Sequence, residues 1–274
     1  MIRPIQAFED NIRPAKLMLQ VYRLLDCGDD IQTEGHFVER LRELVSAAAT
    51  EDLMLVHNEI FLGLVRERSQ VPKSALKTST LSHLLRQAIV ASCTALDAYL
   101  PAILRLNLPE IIRLKGRAFA LDEATKEHWK DLQFSLDEVL RLRGENEEPA
   151  ALFIANRLAG LASFKYLSSK MGVHVAGSLL GLVKPWDEIA THLRREKKEL
   201  TSVLEATVNR RNDIVHRADR DRGNPDGEPQ TITFAQASQG SDTVSHVCHA
   251  FDELVEAGLR ELRIRKAEAV LDGA

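Results

Sequence analysis

Eight consecutive residues, Arg210 to Arg217 (RRNDIVHR), gather three arginines, an asparagine, an aspartate and a histidine. Arginine's planar fork of donors suits bidentate contact with phosphate. On a helix, Leu200, Leu204, Val208 and Val215 make an apolar stripe about 80° wide, and Arg211 falls inside it, about 20° from Leu204. A guanidinium inside a core-facing stripe is costly unless it is paired or faces a polar pocket. Asn212 and His216 lie one turn apart, separated by about 40°, and can serve one site. Arg211 and His216 are about 140° apart by the same arithmetic, so they do not stack on one face. Either the long Arg211 side chain reaches back, or the site is assembled between two copies of the chain. The alternative is a surface helix on which Arg210, Arg211 and Arg217 face solvent and Asp213 pairs with Arg217 at i,i+4.

The elements that position this run are helical. Leu, Ala, Glu and Arg dominate, aromatics make up 5%, and apolar residues recur at three- and four-residue intervals nearly throughout. An all-α protein follows, with no fixed-period repeat. In the stretch Thr78 to Leu104, Leu81, Leu85, Ala88, Leu96, Tyr99 and Ile103 form one apolar face. Ile89, Val90, Cys93, Leu100 and Leu104 make a second side apolar as well, so this helix is central. Arg86 and Asp97 point to that second side. Asp97, in ALDAYL, is then a candidate buried carboxylate in need of donors, either as the structural partner of an arginine or a helix end or as a group that orients the Arg211 site.

Around this pair the chain reads as a first helix over about 12–26 and a second helical stretch over 33–68, with a break near 69–77. Pro101 predicts a distortion and Pro109 the start of a shorter helix. Helices follow at 123–143 and 149–169, and Met171 to Val183 reads as a glycine-punctuated apolar turn or short helix. Pro185 with Asp187 and Glu188 opens a long helix reaching His216. DRDRGNPDGEPQ, residues 219–230, is the clearest loop, Thr231 to Phe234 alternates weakly like a short strand, and Ser241-Asp242 caps a last helix ending near Val270. Residues 1–75 are expected to form an N-terminal helical extension, separate from or packed on the main helical domain of residues 76–274.

The chain has 274 residues and is 45% hydrophobic and 28% charged, which excludes general disorder. Cys27, Cys93 and Cys248 are odd in number and widely spaced, which fits a reducing compartment, and the location expected is the cytoplasm. No signal peptide is visible, and the longest uncharged stretch is too short for a typical spanning helix, so no membrane is expected. The net charge of −4 excludes a bulk polycation that coats nucleic acid, but it leaves room for a local basic site. From His192 to Arg222, nine Lys or Arg stand against six Asp or Glu. His246 and His249 lack further ligands at metal-site spacing, and neither a Walker nor a Rossmann pattern occurs. Gly172, Gly177 and Gly181 lack the strand-loop-helix setting of a phosphate cradle, and permit close helix packing or a tight turn instead.

RRNDIVHRAD, with four residues between Arg211 and His216 and an asparagine directly after the arginine, is similar to the R-x4–6-H motif of the HEPN superfamily. The upstream LLRQAIVASCTALDAYL resembles the central helix of these proteins. The order of glycine-containing segment, KPWDEIATHLRREKKEL and Arg-His helix is like the RiboL-PSP-HEPN branch, and the resemblance spans roughly residues 78–270.

The resemblance implies a helical bundle that homodimerises to bring two Arg-His motifs into one cleft. It also implies a metal-independent endoribonuclease needing no cofactor, in a toxin–antitoxin or phage-defence role, with RNA as substrate and an antitoxin or defence-system protein as a possible partner. His216 would move a proton at the attacking 2′-hydroxyl or the leaving 5′-oxygen. Arg211 would hold the phosphate as its charge grows, and Asn212 would position the phosphate or the ring. Asp97, Arg210, Asp213 and Arg217 would support them, and the products would be 2′,3′-cyclic phosphate and 5′-hydroxyl ends. The rival expectation is a non-catalytic helical module that uses the same surface to bind a protein or nucleic acid.

Overall fold

A computed structural model describes residues 3–25, 53–55, 62–64, 78–122, 126, 133–143, 147–160 and 169–272. In chain order the elements are helix α1 (Pro4–Leu25), strands β1 (Leu53–Leu55) and β2 (Leu62–Leu64), and helices α2 (Thr78–Lys115), α3 (Arg117–Leu121), α4 (Leu136–Arg143), α5 (Glu147–Gly160), α6 (Lys170–Leu179), α7 (Pro185–Leu193), α8 (Lys197–Arg217) and α9 (Phe234–Asp272). The all-α class read from composition is what the chain adopts, apart from one short hairpin. In it Leu53 faces Leu64, Met54 faces Gly63 and Leu55 faces Leu62 in antiparallel register. The hairpin replaces part of the helix expected over 33–68. Two short apolar runs flanking His57-Asn58-Glu59 carry no helical period of their own, and Gly63 disfavours a helix interior. The rest of that stretch lies outside the described residues.

The expectation for α2 holds residue by residue at its centre. Leu81, Leu85, Ala88, Ile89, Cys93, Leu96, Tyr99, Leu100, Ile103 and Leu104 are all buried, and Val90 is half-buried. Helices α1 and α9 lie along α2 most extensively, with α5 and α8 on its other sides. The helix runs through Pro101 and Pro109 to Lys115, where the sequence suggested two pieces. Each proline withholds the hydrogen bond to the carbonyl four residues earlier. Burial of Leu108, Ile111 and Ile112 in the common core keeps the last turns in line. By length and apolarity alone α2 would suit a membrane span, its most apolar window having a mean hydropathy of 1.4.

Helix α1 begins at Pro4, eight residues before the expected start, with proline at the position where its missing N–H is harmless. Ile5, Phe8, Ile12, Ala15, Leu19 and Tyr22 are buried in the same core as α2 and α9. Phe8 meets Tyr99 edge-on at 5.5 Å and His249 at 6.0 Å. The N-terminal helix is therefore part of the bundle's hydrophobic core.

The glycine segment Met171 to Val183 forms α6 and its exit. Ser169 caps it, its hydroxyl accepting from the Gly172 N–H at 3.0 Å. A methyl group on Gly177 would stand 2.6 Å from the Pro185 ring, and Gly181 turns the chain at φ 96°. Close approach and a tight turn are the roles expected of these glycines.

The long helix expected from Pro185 to His216 is two helices. Arg194 takes a left-handed conformation (φ 52°), with Arg194 and Arg195 N–H groups satisfying the Thr191 and Ala190 carbonyls. HLRREKKEL holds no glycine or proline, so nothing in its spacing announces the break.

Thr231 to Thr233 form no strand, and α9 starts seven residues before Ser241. Its cap is Thr233, whose hydroxyl accepts from Gln236 N–H while Gln236 Oε1 accepts from Thr233 N–H. This is a capping box written T-x-x-Q in the sequence.

Two experiments test this packing. Phe8→Ala should lower the stability of the whole bundle by about 3–5 kcal/mol in denaturant unfolding, in a single transition reported alike by far-ultraviolet circular dichroism and tyrosine fluorescence. A loss of α1 alone, with the main transition unmoved, would show α1 to be an appendage. The second concerns Asp252 on α9, half-buried beside the Tyr99 hydroxyl, which donates to it at 3.2 Å. Burial raises its carboxyl above the usual range, a rise only partly countered by the Tyr99 hydrogen bond. The folded state thus binds this proton more tightly than the unfolded state does. Its contribution is present at low pH and is lost as pH rises through the folded value. Asp252→Asn should accordingly melt higher than wild type at neutral pH, and the gap should close as pH falls towards about 4.

Candidate functional site

Three turns of α2 separate Arg86 from Asp97, which places them about 20° apart on one side of the helix. Helix α8 lies against α2 there. Leu200, Leu204 and Val208 of the expected stripe are buried. Val215 is 54% exposed while Ile214 beside it still packs against the core, so the last turn of α8 is open to solvent on its Val215–His216 side.

In that turn Arg211 reaches back to α2, pairing with the Asp97 carboxylate and donating to Asn212 Oδ1 at 3.0 Å. The pair is partly accessible, the Arg211 side chain being 21% and Asp97 40% exposed. The Cys93 thiol lies beneath, next to Arg211; burial pushes it up to about 12, so it stays protonated and inert at neutral pH. His216 is exposed one turn beyond Asn212. Asp213 accepts from Arg217 at 3.1 and 2.5 Å, as its i,i+4 spacing implies. The structure thus joins Arg211, Asn212 and Asp97 directly and leaves His216 on the neighbouring face. Arg211 and His216 do not meet within one chain.

Arg210 turns the other way. Its Nη2 donates to Asp219 Oδ2 at 2.9 Å and to the carbonyls of Gln230 and Thr231 at 2.9 and 3.0 Å. Its Nε stands 2.6 Å from Asp219 Oδ1, in ionic contact without the alignment of a hydrogen bond. Arg86 closes on the same carboxylate from α2, with Nε 2.6 Å from Oδ2, and further donates to Ser82 and the Gln230 carbonyl. Asp219 is 0% exposed. Arg210, read from sequence as a neighbour of the Arg211 site, belongs instead to this buried clamp.

Asp219 is the residue that sequence reading missed, because it opens a loop whose composition marks it as polar and exposed. A signal was present nonetheless: Arg86 on an apolar side of α2 required an acidic partner, and Asp97 is taken by Arg211. The local backbone also depends on the clamp. Ala218 (φ 51°) and Asp219 (φ 64°) are consecutive left-handed residues, each costing roughly 1–2 kcal/mol relative to glycine. Ala218 and Asp219 N–H groups both satisfy the Asp213 carbonyl, and the buried ion pairs hold the corner.

Among the described residues no group of three His, Cys, Asp or Glu side chains is placed to hold a metal ion. His246 is exposed, and His249 packs edge-on against Phe8 with Nε2 4.0 Å from Glu9. No protein-family model, no characterised protein and no solved structure matches this chain.

Asp219→Asn should be among the most damaging polar substitutions in the protein, lowering unfolding free energy by about 3–5 kcal/mol because two guanidiniums lose their counter-charge. Glu199→Gln, which removes the exposed Arg195–Glu199 pair, should change it by about 0.5 kcal/mol. Chemical denaturation of both variants checks the contrast.

Proposed function

We propose that the chain is a metal-independent endoribonuclease of HEPN type, acting as a homodimer on RNA and leaving 2′,3′-cyclic phosphate and 5′-hydroxyl ends. The observation that carries this reading is the end of α8, where an asparagine-buttressed, partly accessible arginine and an open histidine sit five residues apart, about 140° around the helix. Arg211 is oriented by Asp97 and Asn212 yet remains accessible, which suits a donor that meets a phosphate without rearranging. His216 is free to exchange protons with a bound strand. Because the two lie on different faces, a cleft formed by two copies would place the histidine of one chain opposite the arginine of the other. The biological setting that best fits such an enzyme is a toxin or phage-defence system in the cytoplasm, with an antitoxin or defence protein as its control.

A second reading has an observation in its favour. Asp97 already neutralises Arg211, which is how a motif kept for structure would look. The protein would then be a helical binding module using the same surface.

Incubation of purified wild type, His216→Ala and Arg211→Ala with total cellular RNA in EDTA separates the two. Wild type should cut and leave cyclic-phosphate ends, and each variant should lose about 100-fold or more in rate with its circular dichroism unchanged. Folded dimeric wild type that leaves RNA intact would exclude the nuclease in favour of the binding module.

A further inference from the structure

The chain leaves the fold at Asp219 and re-enters it at Gln230, and one clamp holds both points. The Gln230 N–H donates to the Asp219 carbonyl at 2.8 Å, while the Gln230 carbonyl accepts from Arg86 and Arg210. The loop between them is internally bonded. Asn224 N–H donates to the Asp221 carbonyl and Gly227 N–H to the Asn224 carbonyl, both at 3.1 Å. The Asp221 carboxylate accepts from the Gly223 N–H at 2.7 Å. A side chain at Gly227 would run into Asn224 at 2.5 Å.

The two arginines of this loop have different fates. Arg220 is engaged inside it, donating to the Gly227 carbonyl at 2.8 Å. Arg222 points out, 69% exposed, and its partner among the described residues is Asp213, at 3.6 Å. Asp213 already holds Arg217 at hydrogen-bond distance. One carboxylate therefore faces two guanidiniums, and Arg222 makes the longer and more exposed of the two contacts. Asp213 follows Asn212 directly and lies three residues before His216, so it neighbours the histidine on the helix surface. The Arg222 guanidinium stands beside the Asn212–His216 face, held there by a loop that does not have to be ordered on binding.

We propose that Arg222 binds a phosphate of the RNA strand next to the one at the Arg211–His216 site, and that the Asp219 clamp is the positioning device that holds it there. This rests on the ribonuclease reading above. It makes the substrate a strand that crosses the end of α8 and continues over the 220–229 loop, recognised there by its backbone and not by its bases.

Fluorescence anisotropy tests this with the full chain and a labelled, uncleavable 2′-O-methyl oligoribonucleotide, titrated across a series of salt concentrations. A cation that neutralises one phosphate of a single strand contributes about 0.7 to the slope of log affinity against log salt. Arg222→Gln should lose about that much slope and weaken binding to all sequences alike, and Arg222→Lys should recover most of the slope. Asp219→Asn, where circular dichroism shows it folded, should lose the same increment, and adding Arg222→Gln to it should lose no more. An Arg222→Gln protein with wild-type slope and affinity overturns the proposal, even where wild type binds and cleaves. Wild type that shows no salt-dependent binding at all overturns the ribonuclease reading itself, and the role of Arg222 with it.

Discussion

A single carboxylate with no exposure to solvent, Asp219, lies between two guanidiniums from helices far apart in sequence. Burying any one of these charges alone would cost several kcal/mol, so the three are stable only together. Their meeting fixes where α8 stops, because Asp219 belongs to the left-handed corner that ends it. It fixes how the start of α2 sits against that end, through Arg86. It also fixes the approach to α9, through the carbonyls of Gln230 and Thr231. The open turn bearing Asn212, Asp213 and His216 takes its orientation from this junction.

Helix α2 is the common floor. Its apolar faces are covered chiefly by α1, α9 and α5, and two of its charged residues, Arg86 and Asp97, meet the end of α8 and its exit loop. Arg86 and Asp97 have opposite charge and lie three turns apart on one side. They separate the consecutive arginines of α8 into different roles. Arg210 is drawn through Asp219 towards the Arg86 end, and Arg211 is drawn to Asp97. Neighbours in sequence on a helix diverge by about 100°, so two adjacent arginines rarely serve one ligand. Between the two stations Cys93 and Thr207 pack closely, and a methyl group on Gly240 would stand 2.7 Å from Thr207 Oγ1, so α9 also comes close to α8 here. Small residues at these contacts let three helices meet beneath the charged groups.

Much of this was legible. The apolar faces of α2 follow from spacing alone, since a helix with two apolar sides has to be central. The pairing of Asp213 with Arg217 is local, four residues apart on one helix, and needs no tertiary information. Asp97 was marked as a carboxylate in search of an arginine, and Arg211 as an arginine in search of a partner, though their junction crosses 114 positions of sequence. What escaped was of two kinds. Some signals were written but outweighed, such as the Thr233–Gln236 capping box and Pro4 at the head of α1. Others were not written at all. The break at Arg194 and the corner at Ala218 are left-handed turns made by ordinary residues and closed by local backbone hydrogen bonds, with no glycine or proline to announce them.

The sequence by itself determined the helical class, the central helix, the stop signals at glycine and proline, and the set of charged groups that needed partners. Periodicity and propensity act over a few residues, and those features are settled at that range. The tertiary structure alone decided which charge meets which. It sent Arg210 to a buried carboxylate in a loop that composition marks as exposed, and it left Val215 in solvent where the stripe implied burial. Desolvation is the reason: the cost of an unpaired guanidinium depends on how much water the folded chain removes, which is set by helices that come together only when the bundle forms.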